Sequence, residues 1–358
     1  MHVFIPERIE ANIKNIQKAF GSRFKDFSLA YSFKTNCHQL VISEVRKSKI
    51  MAEVVSREEY ESAIANGFLN SEIIFNGVCK EKFCMIECCR GKGIVNIDNE
   101  EEVQWAEEHY DSTGEILSLG IRLNFNIGNG IKSRFGVEPD SAVYKRIKEL
   151  EAQGKIKVIG LSCHFTNTRE SSYWKKKAEM LSKCSADFPS IEFLDFGGSL
   201  AADYEKEDSR KNDGKGKMDF ETAAKSIYEE LKKAKLEDKR IIIESGTAVV
   251  GSAFKTIAKV VHIKDNGFVV LDISFLDLLL PSLRDNIQFE VIHKSRQPKM
   301  LSNYTIAGYT CLENDIIKKG FNGKLGVGDE IVFKNTGAYT MCFSNSFIKN
   351  PLDIVGNI

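Results

Sequence analysis

From Phe27 to Glu244, short apolar runs alternate with longer amphipathic stretches. The first run is Phe27–Phe33, with a helical pattern from Gln39 to Ser48, and the second is Ile50–Val55, with a charged helix beginning near Arg57. Glu72–Phe75 and Gly93–Ile97 follow, each trailed by a Glu-rich helical segment, and then Ile116–Leu123, Lys157–Cys163, Ile191–Phe196 and Arg240–Ile243. Strands separated by helix-length segments call for a parallel sheet, and eight of them favour closure into a (β/α)8 barrel. An open doubly wound sheet is the competitor. It usually carries a Gly-rich turn after its first strand, whereas here Ser32-Phe33-Lys34-Thr35-Asn36 follows, with no GxGxxG or Walker loop.

Beyond Glu244 the pattern becomes β-like in Val249–Ile263, Phe268–Ile273, Tyr304–Thr310, Glu330–Phe333 and Ala338–Phe343, punctuated by Asp-Asn-Gly and Gly-Val-Gly-Asp turns. The expected organisation is an α/β TIM barrel over 7–248 followed by an antiparallel β domain over 249–358, joined by residues 1–6. The polar stretch Asp203–Asp219 reads as a solvated loop in the seventh βα connection.

Charge narrows the function classes. Fifty Lys+Arg balance fifty Asp+Glu, so the basic excess that nucleic acid or an anionic membrane requires is missing. No apolar run approaches the roughly 18 residues of a membrane span, and the N-terminal residues lack a signal-peptide core. Nine scattered cysteines suit a reducing cytoplasm. The cluster Cys79, Cys84, Cys88 and Cys89 has neither a Cys-x2-Cys pair nor a nearby His to complete a zinc shell, so it reads as small buried hydrophobes and no metal is expected.

In a barrel, chemistry gathers at the C-terminal strand ends. Those positions hold Lys34, then Glu53 with Ser56, Arg122 and Asn124, His164, Asp195-Phe196-Gly197-Gly198-Ser199, and Glu244. Each has an ordinary reading alone: a solvated lysine, a structural histidine, a turn glycine pair. Together they meet the needs of pyridoxal 5'-phosphate (PLP). Lys34 suits an imine to the aldehyde, Glu244 the pyridine nitrogen, Gly197-Gly198 the phosphate, and His164 a ring-stacking place.

The same residues resemble the fold-type III PLP-dependent decarboxylases, with their alanine racemase-like barrel; diaminopimelate, ornithine and carboxynorspermidine decarboxylases are members. Tyr31-Ser32-Phe33-Lys34-Thr35-Asn36 resembles the cofactor-lysine motif, and Ser133-Arg134-Phe135-Gly136-Val137 a Lys-Phe-Gly segment. Gly160-Leu161-Ser162-Cys163-His164 is similar to the stacking-histidine motif, Leu194-Asp195-Phe196-Gly197-Gly198 to the phosphate loop, and Glu244-Ser245-Gly246 to Glu-Pro-Gly. Cys311-Leu312-Glu313-Asn314-Asp315 and Gly337-Ala338-Tyr339 resemble the Cys-x-x-x-Asp and Gly-Ala-Tyr motifs. The resemblance implies catalysis by Lys34, His164, Glu244 and Cys311, with Cys311 protonating Cα after CO2 leaves. It implies cofactor contacts from Lys34, Glu53, Ser56, His164, Asn167, Gly197, Gly198, Ser199, Glu244, Gly246, Thr247 and Tyr339, and substrate contacts from Arg134, Leu280, Leu312 and Glu313. It also implies a homodimer with shared active sites, acting on a free or carrier-bound amino-acid-like substrate.

The chain departs from the family pattern in places. Ser199 replaces the third glycine, Thr247 the arginine of Glu-Pro-Gly-Arg, and Thr166-Asn167 the Gly-Ser after the histidine. Leu280 stands where diaminopimelate decarboxylases carry an arginine, and Leu312 where an acidic residue follows the cysteine. A site without those charges loses its reason to bind a charged distal group, which predicts that neither diaminopimelate nor ornithine is the preferred substrate. A racemase of the same fold and a catalytically silent regulator are the competing readings. Glu244 and Cys311 count against the first, and the retained Lys34 against the second.

Overall fold

The computed structural model describes residues 1–168, 170–200, 202, 219–278, 287–344 and 346–356. Two compact units emerge, one of Met1–Ala11, Thr35–Val41 and Thr247–Ile358, the other of Asn12–Lys34 and Ile42–Gly246. The chain opens with strand β1 (His2–Phe4) and helix α1 (Pro6–Gly21), the latter with Pro6 at its first position, Glu7 in the first turn and Lys18 in the last. That start signal is plain in the sequence, although the alternation that begins at Phe27 does not include it.

The larger unit is a closed barrel of eight strands in sequence order: β2 (Phe27–Ser32), β3 (Met51–Val54), β4 (Ile73–Phe75), β5 (Ile94–Ile97), β6 (Leu117–Arg122), β7 (Ile156–Ser162), β8 (Phe193–Asp195) and β9 (Arg240–Ser245). Every neighbouring pair is parallel, and β2 closes on β9 with Phe27 opposite Ile241 and Tyr31 opposite Ser245. All eight expected strands are therefore present, most of them shortened at the ends, while β9 runs on to Ser245 and β7 begins at Ile156. Between them run α2 (Gln39–Lys47), α3 (Arg57–Ala65), α4 (Lys82–Arg90), α5 (Glu100–Thr113), α6 (Ala142–Ala152), α7 (Ser171–Ser185) and α8 (Phe220–Lys233). Side-chain caps start several of them. Ser56, Asn99, Ser141 and Asp219 accept from N–H groups of the first turns of α3, α5, α6 and α8.

Ala30, Met51, Ile74, Ile94, Phe193 and Ile242 form a buried cluster inside the barrel. Phe193 is accommodated because two facing positions are glycine. A Cβ on Gly160 would lie 2.1 Å from the Phe193 ring, and one on Gly120 only 2.0 Å from Asn96 Oδ1. Large and small positions thus interlock across the barrel, as close packing demands.

One buried ion pair anchors the turn after β4. Lys80 Nζ donates to Glu102 Oε1 and Oε2 at 2.9 and 2.8 Å and to the Gly77 carbonyl at 2.8 Å. Burial pushes the Lys80 ammonium down and the Glu102 carboxyl up, each opposed by the partner's charge. Removing one partner strands the other charge in the interior. Lys80→Ala is therefore expected to destabilise the barrel by about 3–5 kcal/mol, while Lys80→Met with Glu102→Leu recovers most of that loss. Urea unfolding of both variants checks this; equal losses would refute the account.

The smaller unit holds α9 (Thr247–Val250), β10 (Phe254–Lys264), β11 (Phe268–Leu271), β12 (Phe289–Ile292), β13 (Lys299–Ala307), β14 (Ile316–Leu325), β15 (Glu330–Phe333) and β16 (Ile354–Gly356). The sheet order is β12-β15-β10-β11-β13-β14, with β1 on β10 and β16 on β1. Pairing is antiparallel except for β11–β13 and β1–β16. Val260, Leu271, Ile306, Leu325, Ile331 and Phe333 belong to its core.

Two expected strands need correction. Residues 249–253 are not the start of a strand but the end of α9 and a 3-10 turn, Gly251–Ala253; Ala248, Val249 and Val250 are all buried, and burial overrides their β propensity. Ala338–Phe343 is not a strand either, because Tyr339 takes a left-handed φ of 54° and Met341–Phe343 forms a 3-10 turn. The polar stretch after Ala202 lies, up to residue 218, outside the described residues.

Candidate active site

Five of the expected residues line one cavity of about 320 Å³ in the barrel: Lys34, Glu53, His164, Gly197 and Glu244. It lies at the low end of the roughly 300–1,000 Å³ typical of small-molecule sites. The rest of its wall comes mainly from the residues that follow β4, from Arg122 and Phe135, and from Ser162 and Cys163 at the end of β7.

Lys34 sits in a 3-10 turn, Phe33–Thr35, that caps β2, and its Nζ forms a close ion pair with Glu53 Oε2 at the end of β3. Glu53 is buried. Burial alone would raise its pKa, but the Lys34 ammonium, with hydrogen bonds from Lys34, Ser32 and Asn76, holds it below the ordinary range. Glu53 is thus the charged partner of Lys34.

Asn76, the first residue after β4, ties the carboxylates together. Its Nδ2 donates to Glu244 Oε1 at 2.6 Å and to Glu53 Oε1 at 3.2 Å, while its Oδ1 accepts from Asn96 Nδ2 at 2.9 Å. An amide that spends both N–H groups on two acids fixes their orientation. Glu244 itself is raised by burial and by the neighbouring Glu53 charge. Asp195, at the end of β8, is pushed well above the carboxylate range by burial and then by Glu244. Its Oδ1 accepts from the Gly197 N–H at 2.8 Å, and its carboxyl shares a side-chain hydrogen bond with Glu244. Glu53 therefore carries the negative charge opposite Lys34, while Glu244 and Asp195 favour holding a proton.

His164 follows β7. The Gly198 N–H donates to its Nδ1 at 2.9 Å, and a backbone N–H can only donate, so the ring proton belongs on Nε2. Burial and the Lys177, Arg122 and Lys34 charges push its pKa well below the usual value, so the ring is neutral. The glycine turn is sterically required. A Cβ at Gly197, where φ is +61°, would lie 2.7 Å from the Cys163 carbonyl oxygen, and one at Gly198 would lie 2.6 Å from the Glu244 carbonyl oxygen. Ser199 then adopts φ +77°, a conformation uncommon for a residue with a Cβ.

The other expected residues lie elsewhere. Ser56 caps α3, with its Oγ accepting from Glu59 N–H at 3.3 Å. Asn167 is exposed with φ 56°, and Gly246 follows β9 ahead of Thr247, which opens α9. Arg134 is exposed and stacks its guanidinium 4.3 Å from the Phe135 ring centroid; Arg122 lies 4.7 Å from the same centroid. In the smaller unit the Tyr339 N–H donates to the Thr35 carbonyl at 2.8 Å. Cys311, Leu312 and Glu313 are exposed on the turn between β13 and β14 and line a second hollow of about 360 Å³. Leu280 lies outside the described residues. Of the clustered cysteines, Cys84, Cys88 and Cys89 are buried and free, while Cys79 is exposed on the cavity wall.

Reading strand ends also missed Asn76. It follows the third barrel strand, so the rule that singled out Lys34 and His164 could have found it.

The donor set fits PLP: one lysine able to bind an aldehyde, buried acids that hold a proton for a ring nitrogen, a neutral imidazole, and a glycine turn that leaves no room for a side chain. The family model described as the pyridoxal binding domain of pyridoxal-dependent decarboxylases matches residues 7–251. The chain belongs to that family and is a PLP-dependent carboxy-lyase. It is 26% identical to the diaminopimelate decarboxylase of Methanocaldococcus jannaschii, over 97% of this chain and 83% of that protein. It is also 26% identical to that of Bacteroides thetaiotaomicron, over 89% and 85%. Among solved structures, a variant of Helicobacter pylori diaminopimelate decarboxylase complexed with L-lysine superposes with TM-score 0.86 at 21% identity, covering 100% of this chain and 91% of that one. The expectation that diaminopimelate is not a preferred substrate finds no support in these relatives.

Proposed function

We propose that the protein decarboxylates the α-carboxylate of a free amino acid, with diaminopimelate the first candidate. The observation that carries the decarboxylase chemistry is the Lys34–Glu53–Asn76–Glu244 chain at one cavity. The naming of diaminopimelate follows the relatives alone.

PLP, when bound, supplies the electron sink into which the bond to CO2 breaks. The chain's own groups do the rest. Lys34 is the amine that holds the cofactor aldehyde, and Glu53 keeps that side chain oriented. Glu244 holds a proton for the ring nitrogen, with Asn76 fixing its carboxyl. His164, neutral and locked by Gly198, offers a flat face for stacking.

Cys311 delivers the proton to Cα, in a homodimer whose partners share active sites. The exposure of Cys311, Leu312 and Glu313 supports this reading, since a thiol that serves the substrate must be accessible. Cys311→Ala is expected to lower kcat by about 10²-fold, with PLP binding unchanged. The deciding assay is CO2 release from meso-diaminopimelate, ornithine, lysine, arginine and carboxynorspermidine by fully loaded protein. Turnover of diaminopimelate at least tenfold above the others supports the substrate assignment, and preference for another amino acid replaces it. No CO2 from any of them refutes the reading as stated.

A further inference from the structure

Helix α7 buries Trp174, Ala178, Leu181 and Cys184, a spacing that calls for an apolar residue at 177. The chain places Lys177 there, with no exposed surface. Its Nζ donates to the carbonyl oxygens of Phe196 at 3.1 Å and Gly198 at 3.4 Å, and lies 4.1 Å from the Trp174 ring centroid. Among the described residues no carboxylate stands within ion-pair distance of it. A buried ammonium is costly without a counter-charge, and two carbonyls with an aromatic face compensate only in part. Burial accordingly pushes Lys177 down to about 8, against the pull of Cys163, Asp195 and Glu244.

Both carbonyls belong to the glycine turn. A trans peptide points its N–H opposite to its C=O, so drawing the Phe196 and Gly198 carbonyls toward Lys177 turns the N–H groups of Gly197 and Ser199 away from it; Gly197 spends its own on Asp195 Oδ1 at 2.8 Å, which leaves the Ser199 N–H to face an anion. Gly197 and Ser199 both have positive φ, +61° and +77°, the backbone habit of anion-binding turns. We propose that Lys177 is a positioning residue for the cofactor phosphate: a buried cation behind the Gly197–Ser199 turn that orients its peptides and supplies the counter-charge. The inference rests on that turn taking the phosphate and is independent of the substrate.

The test compares pyridoxine 5'-phosphate with pyridoxine, which lack the aldehyde and so bind without Lys34 chemistry. Their affinities for the apoprotein are measured by calorimetry. Wild type is expected to prefer the phosphate ester strongly, and Lys177→Met to lose about tenfold or more of that preference while pyridoxine affinity stays unchanged. Exchanging a buried charge for a hydrophobe of similar length is compatible with folding, and a thermal melt checks it. A second arm uses wild type alone, from about pH 7 to about pH 9.5, where a phosphate ester stays dianionic. Trp174 on α7, Cys163 and His164 after β7, Asp195 on β8 and Glu244 on β9 face Lys177; Cys163 is pushed up to about 12 and stays neutral, and His164 is pushed well below its usual value and stays neutral. The preference should fall about tenfold as Lys177 loses its proton, and remain flat with pH in Lys177→Met. No phosphate preference in wild type would refute the phosphate turn itself. A preference that survives Lys177→Met, or one that is pH-independent in wild type, would overturn the role of Lys177 alone.

Discussion

Lys34→Ala is expected to abolish covalent attachment of PLP and to reduce turnover by about 10³-fold or more, roughly 4 kcal/mol of barrier. Among the described residues no other lysine lines the cavity, so none of them is placed to take over. The readouts are the absorption band of lysine-linked cofactor, the mass added after borohydride reduction, and kcat. The substitution also removes the counter-charge of buried Glu53. In wild type the Glu53 pKa is lowered, so its contribution to stability is present above the unfolded-state carboxylate pKa and is lost as pH falls through the folded value. Without Lys34 that contribution disappears, and Lys34→Ala should be less stable than wild type at neutral pH, with the gap closing in acid. Lys34→Arg separates the two effects, because it keeps a cation beside Glu53 but not the amine. It should retain stability and still lack the covalent link. An activity near wild type in either variant would remove Lys34 from the chemistry.

Glu244→Gln should cost about 10²–10⁴-fold in kcat while leaving the fold intact. Glutamine keeps the size of the side chain and an oxygen that can accept from Asn76 Nδ2, now 2.6 Å from Glu244 Oε1. What it lacks is a titratable proton. Burial and the Glu53 charge raise Glu244 toward the protonated form, as Glu244 does to Asp195, so removing this acid should leave thermal stability equal or higher. The measurement is kcat at saturating PLP beside a thermal melt. A kcat within about tenfold of wild type, in a protein that still attaches PLP, would mean that the proton comes from elsewhere, with Asp195 the next residue to replace.

The local code explains which parts of the barrel were legible. Short apolar runs bounded by helical patterns located all eight strands, and the strand-end rule found Lys34, Glu53, His164 and Glu244. The smaller unit was less legible. β12 and β14 are short of apolar alternation, with Glu290 and the Lys318-Lys319-Gly320 stretch on exposed or half-buried positions, and β1 and β16 are three residues each. Such strands exist because partners pair with them, and pairing leaves little local trace. Tyr339 shows the reverse error, an aromatic run that reads as a strand but is broken by one left-handed residue.

By itself the sequence determined the order of barrel elements and put Lys34, His164 and the Gly197-Gly198 turn at strand ends, because each depends on residues close together in the chain. Only the tertiary structure decided that Asn76 joins Glu53 to Glu244, which lies 168 positions further along the chain than Asn76, and that Glu53 is lowered by Lys34 while burial raises Glu244. It alone placed Lys177 behind the turn at Gly197 and Gly198. The physical reason is common to all three. Hydrogen bonding between side chains and the cost of burying charge depend on distance and solvent exclusion, which exist only once the barrel has closed.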